Sequence, residues 1–135
     1  MSVSSEFPRP LSRREAAVLA FMLSPDDPRL EPLRRQAEAV TATGNWGCCA
    51  TIDLWVDRSR AIAAPGLCSP VTETATIEKG PAERYHDLLL FLDDDGWLKT
   101  LEIVHYAGSP MEFPPVENFE LPHVRCDPST GSNSR

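Results

Sequence analysis

The sequence predicts an α+β fold: two N-terminal helices packed on a four-stranded, mainly antiparallel sheet, followed by a proline-rich extended C-terminal segment. Three observations carry that expectation. Apolar residues recur at helical spacing from Ser12 to Val40 behind a capping signature, and the period falls to 2 after Gly47. Two long alternating runs then flank the turn sequence Asp93-Asp94-Asp95-Gly96. Helices first and strands afterwards is the order of α+β chains rather than alternating α/β ones.

Ser12-Arg13-Arg14-Glu15 has the form of a capping box, in which the hydroxyl accepts from the third helical amide and the carboxylate reaches back to the first. Residues 16–23 are apolar nearly all round, which predicts a helix buried on more than one side, ended by Ser24-Pro25-Asp26-Asp27-Pro28. A second helix should begin near residues 29–31, because Pro32 lacks an amide hydrogen and is tolerated in a first turn. Leu30, Leu33, Ala37 and Val40 form its buried stripe. Glu31, Arg34, Arg35 and Glu38 pair at three- and four-residue spacing elsewhere, and Gly44 is a natural stop.

The first strand is expected over 49–56, where Ile52, Leu54 and Val56 alternate with Thr51, Asp53 and Trp55. Residues 57–70, with Pro65-Gly66 and Pro70, read as a loop. Val71, Glu73, Ala75 and Ile77 alternate with Thr72, Thr74 and Thr76 in a second strand of lower apolar content, placed near an edge. Residues 85–92 and 97–106 are the strongest strands, and Asp93-Asp94-Asp95-Gly96 joins them as a hairpin. Gly96 accepts positive φ and aspartates tolerate turn geometry, so three acids at this tip need no ligand. Beyond Gly108, prolines at 110, 114, 115, 122 and 128 exclude long regular elements. An extended segment packed by Phe113, Phe119 and Leu121 is expected, giving one domain over 1–126 and a disordered tail over 127–135. No repeat occurs at solenoid spacing.

A chain of 135 residues can bury a working core without a metal or disulfides, so no cofactor is expected. Its apolar fraction of 41% and charged fraction of 24% exclude disorder throughout. The net charge of −7 lies wholly in the second part. Residues 1–47 carry six basic and six acidic side chains, residues 48–135 seven basic and fourteen acidic. Such a surface repels phosphate backbones and attracts basic proteins, which argues against direct nucleic-acid binding. Solubility alone also explains acidity. The run 13–23 has basic residues before apolar ones, but no small-x-small cleavage site follows. It is also far short of the ~20 residues that span a bilayer. No membrane contact and a cytoplasmic location are expected, with reduced cysteines.

Each candidate chemistry has a plain structural counterpart. Aligning Gly96 with the glycine of a calcium loop puts Asp93, Asp95 and Glu102 at ligand positions, but Phe91 falls where the first carboxylate must stand. Cys48 and Cys49 are adjacent, so in an extended strand their thiols point to opposite faces. His123-x-x-Cys126 has better spacing, and Cys68 extends it to a candidate zinc set; otherwise these are small buried or free thiols. His86, His105 and His123 accompany no nucleophile elbow, phosphate loop or zinc-protease helix. Glu102, placed with Leu98, Val104 and Tyr106, is a candidate acid or base if buried and an ordinary carboxylate if it faces out. Trp55 falls on the Asp53 side of its strand rather than the core side. A partly exposed tryptophan amid acidic residues, with Asp53 on its strand and Asp93, Asp94 and Asp95 at the hairpin, has the composition of a binding hot spot; the plain counterpart is a tryptophan covered by the proline-rich C-terminal segment.

The blocks Gly47-Cys-Cys-Ala-Thr-Ile-Asp-Leu54 and Asp95-Gly-Trp-Leu-Lys-Thr-Leu-Glu-Ile-Val104, followed by Glu112-Phe-Pro-Pro115, resemble a family of small bacterial proteins of uncharacterised function. Those proteins carry a Gly-Cys-rich block before a strand and an Asp-Gly-Trp-Leu…Leu-Glu hairpin. The resemblance implies a compact bacterial domain and transfers no site; the cysteines here are adjacent where that pattern alternates them.

Together these readings lead to a non-enzymatic acidic protein-binding domain that engages a basic partner through Trp55, Asp53, Asp93, Asp94 and Asp95. An immunity or inhibitor protein acting on a nucleic-acid enzyme is its most concrete form. The alternative is a small zinc-binding or hydrolytic domain using Cys68, His123 and Cys126.

Overall fold

The computed structural model of the chain describes residues 7–47, 49–76, 86–105 and 111–125, the side chain of His105 excepted. Helix α1 (Arg13–Met22) starts at the predicted capping box: the Ser12 hydroxyl accepts from the Glu15 amide at 3.1 Å and the Glu15 carboxylate from the Ser12 amide at 2.8 Å. It buries Val18, Leu19 and Met22 on one side only. Ala16, Ala17 and Ala20 stay exposed, because alanine is apolar enough to read as core yet small enough to face water at little cost. A 3-10 turn (Pro28–Leu30) leads into α2 (Glu31–Ala37), with Pro32 in its first turn as expected. Arg34 fastens the connection between the helices, donating to the carbonyls of Leu23 at 2.8 Å and Pro25 at 2.6 Å.

The described residues form one six-stranded antiparallel sheet, not a four-stranded one. Its strands are β1 (Val40–Asn45), β2 (Ile52–Val56), β3 (Thr72–Ala75), β4 (His86–Leu92), β5 (Leu98–His105) and β6 (His123–Val124), in the spatial order β1-β2-β5-β4-β3-β6. The two additional strands have different origins. Val40 fits the helical stripe of Leu33 and Ala37, but α2 stops at Ala37, and Val40-Thr41-Ala42 pair with β2, followed after a bulge at Thr43 by Gly44 and Asn45. β-Branched side chains and the unpaired backbone edge of β2 outweigh a stripe that would have needed one more helical turn. β6 is two residues long, too short for any period to register, and is held by its pairing with Thr72 and Glu73. It makes β3 the neighbour of the edge rather than the edge itself. The opposite edge, β1, is bridged by Arg9, whose amide and carbonyl bond Ala42 at 3.0 and 2.8 Å.

On one sheet face Ile52, Leu54, Leu88, Leu90, Leu101 and Ile103 are buried together with Val18, Leu19, Met22, Leu30 and Leu33 of the helical segment. Phe113 and Phe119 join this core, whereas Leu121, expected to pack, is 83% exposed. Ile77, Tyr85, Tyr106 and the tail expected from 127 lie outside the described residues, as do Cys48 and Cys126.

Glu15 illustrates how the N-terminal segment is tied down. Arg9 grips its carboxylate with two bonds of 2.8 and 2.9 Å. Burial raises the Glu15 pKa, but the Arg9 guanidinium and the Ser12 amide outweigh it and hold the group below its ordinary 4.5. A carboxyl whose folded pKa is depressed stabilises the fold above its unfolded pKa and loses that contribution as pH falls through the folded one. Glu15→Gln should therefore cost about 1–2 kcal/mol at pH 7. The difference from wild type should shrink in urea melts below about pH 4. A difference constant down to about pH 3 would remove the ion pair as its cause.

Candidate functional site

The sheet face away from the helices carries the charge and the aromatic surface. β2 and β5 pair with Ile52 opposite Leu101 and Asp53 opposite Thr100, and β5 pairs with β4 with Thr100 opposite Phe91. Asp53, Trp55, Thr100, Glu102 and Phe91 therefore share this open face. Trp55 is 51% exposed and Trp46 50%. The outward placement of Trp55 read from strand alternation is thus observed.

Asp53 is half-buried and accepts from the Trp46 indole N–H at 3.2 Å and from the Thr100 hydroxyl at 3.1 Å. It fixes the orientation of Trp46 as well as contributing charge. A groove of about 400 Å³ runs beside this pair, lined by Trp46, Asp53, Asp94, Lys99, Thr100 and Glu102. Burial pushes the Glu102 carboxyl above its ordinary 4.5. A bulge between Phe91 and Leu92 reverses the alternation near Lys99, so Glu102 and Leu98 do not share a face as expected.

The hairpin tip divides its three acids by role. The Asp93 carboxylate accepts from the amides of Asp95 at 2.9 Å and Trp97 at 3.0 Å, closing the turn, while Gly96 takes φ +91°. Asp94 and Asp95 are exposed. The second oxygen of Asp93 meets Arg58 at 3.3 Å.

Arg58 is the residue that sequence reasoning overlooked. Its guanidinium carbon lies 4.4 Å from the ring centroid of Trp55 and 4.8 Å from that of Trp97, within cation–π range of both. The antiparallel β2–β5 pairing brings the end of β2 to the start of β5, and Arg58, three residues past Trp55, sets its guanidinium against both the Trp55 and the Trp97 rings. The only local signal was Trp55-x-x-Arg58 at a strand end.

The zinc reading fares differently. Cys68 is disulfide-bonded, its partner lying outside the described residues, so the expectation of wholly reduced cysteines is corrected and its sulfur has no thiolate to offer a metal. His123 is exposed on β6, and Cys126 is outside the described residues. Cys49 is a buried thiol that donates to the Thr51 hydroxyl at 3.3 Å, in a bend rather than a strand. Among the described residues no three histidine, cysteine or carboxylate groups converge on a possible metal position.

A second groove, of about 390 Å³ between α1 and α2, is lined by apolar residues such as Leu11, Leu19 and Leu23, and its Arg34 is already engaged with backbone carbonyls and Glu31. No helix among the described residues is long and apolar enough to cross a membrane. The fold and this open face define an α+β protein with an acidic, tryptophan-bearing sheet surface. No family model, curated protein or solved structure matches the chain.

Proposed function

We propose that this is a non-enzymatic binding protein whose open sheet face engages a basic protein, in its most concrete form an inhibitor or immunity protein against a nucleic-acid enzyme. The observation that carries the reading is Trp55, half exposed on a sheet face, with Asp53 beside it and Asp93 reached through a shared arginine. Large aromatic side chains flanked by charge supply most of the binding energy at protein interfaces. Asp53, Asp94 and Glu102 line one groove there, and a run of carboxylates is what a phosphate-binding surface would accept in place of nucleic acid.

The test begins with affinity capture from the native cell and continues with kinetics on the purified pair. Asp93 closes the turn, so the charge variant must spare it. Asp94→Lys with Asp95→Lys moves the net charge from −7 to −3. It should slow association several-fold at low salt, with little change in dissociation. Trp55→Ala should cost about 2 kcal/mol or more, chiefly in the off-rate. Salt-independent association combined with unchanged kinetics in both variants would leave solubility as the reason for the acidity.

A further inference from the structure

We propose that Trp55, Trp97 and Asp93 form a guanidinium-binding cage, held in the free protein by the chain's own Arg58 and taken over by an arginine side chain of the basic partner. The inference rests on the protein-binding reading above and names the chemistry of its central contact. Two indole faces let a planar guanidinium stack, which an ammonium cannot do, and a carboxylate completes its charge pairing. The group already seated between them is a guanidinium.

Arg58 is placed as an exchangeable occupant. Its side chain is 39% exposed and reaches Asp93 through a single contact of 3.3 Å, whereas Arg9 and Glu15 in the same molecule make two bonds of 2.8 and 2.9 Å. The other Asp93 oxygen is committed to two backbone amides. The turn that carries Arg58 is secured independently of its guanidinium: the Asp57 carboxylate accepts from the Ser59 amide and hydroxyl, and the Asp57 carbonyl from the Arg60 amide. Withdrawal of the Arg58 head group therefore leaves both the turn and the hairpin intact. The incoming residue would have to be cationic, since the exposed Asp94 and Asp95 stand at the same tip.

The test uses the full chain and a blocked Gly-Arg-Gly peptide, with Gly-Lys-Gly and Gly-citrulline-Gly peptides as controls. An internal competitor on a short tether acts at an effective concentration of roughly millimolar or above, so its removal should be visible. Arg58→Ala should bind the arginine peptide at least about ten-fold tighter than wild type, followed by the indole N–H signals of Trp55 and Trp97. Adding Trp97→Ala should abolish that gain, and the lysine and citrulline peptides should bind more weakly. In wild type, saturating arginine peptide should move the Arg58 Nε–H signal away from its ring-shifted position, which tests the exchange without any substitution. Equal affinities for wild type and Arg58→Ala, or an Arg58 signal unmoved at saturation, would overturn the cage. A partner whose affinity responds to Trp55→Ala but not to Arg58→Ala would overturn it too, while leaving the protein-binding reading in place. Tight peptide binding beside a partner indifferent to Trp55→Ala would keep a guanidinium site but overturn its occupation by the partner's arginine, and would sink that reading as well.

Discussion

Gly96→Ala is expected to destabilise the protein by about 2 to 5 kcal/mol, through two effects that a control can separate. Gly96 has φ +91°, and an added Cβ would lie 2.4 Å from the Ala64 carbonyl carbon, 2.5 Å from its oxygen and 2.7 Å from the Pro65 nitrogen. The neighbours are backbone atoms, so neither a rotamer change nor a flexible chain end relieves the overlap. Left-handed backbone alone costs an alanine about 1–2 kcal/mol. Gly66, at φ +88°, has nothing within 4 Å of its hypothetical Cβ, so Gly66→Ala reports that conformational part alone. The excess of Gly96→Ala over Gly66→Ala in urea melts measures the close approach of the hairpin tip to the 64–65 backbone. Equal losses at the two sites would mean that the contact yields without resistance. The Gly96 carbonyl also accepts from the Ala64 amide at 2.9 Å, so a displaced turn would weaken that bond as well.

The same residue marks the line between what the sequence states and what it leaves out. Asp93-Asp94-Asp95-Gly96 announces a turn because both requirements, a carboxylate that caps amides and a residue free to take positive φ, are local. Strands β2, β4 and β5 are legible for a similar reason, since alternation over five to eight residues is a property of the segment itself. β1 is not, because Val40 satisfies a helical and an alternating pattern at once, and the pairing demand of β2 decides between them. The outward face of Trp55 follows from alternation, but its cage does not. The order β2-β5-β4 lets Trp97 and Asp93 reach Trp55, and strand order is a choice among long-range pairings that no local period encodes. Arg58 reads as one more loop cation until those three groups are known to surround it.

Gln36 is the clearest case of a residue whose role is invisible locally, and its replacement is the second large effect expected. It occupies an α2 position fully removed from water. Its amide donates to the carbonyls of Ile62 at 2.9 Å and Gly96 at 3.0 Å, and its carbonyl oxygen accepts from the Leu98 amide at 2.8 Å. One side chain thus ties the helix to the 57–70 loop, the hairpin tip and the first residue of β5. Gln36→Leu keeps helix propensity and adds apolar burial worth about 1 kcal/mol, but it strips a partner from the Ile62 carbonyl and the Leu98 amide at about 1–3 kcal/mol each. A net loss of about 2–4 kcal/mol is expected. Gln36→Glu separates the bonds from the shape. The carboxylate keeps the bond to Leu98 and faces two carbonyl oxygens with no proton to give, so its pKa must rise in the folded state. A carboxyl raised on folding stabilises less as pH increases, so this variant should be weakest at neutral pH and recover as the medium becomes acidic, where the protonated acid again donates. That trend is opposite in sign to the Glu15 contribution, so the comparison must be made against wild type at each pH. Wild-type stability in Gln36→Leu, or a Gln36→Glu deficit that grows on acidification, would mean that other groups supply these bonds and that the hairpin tip holds its place without the helix.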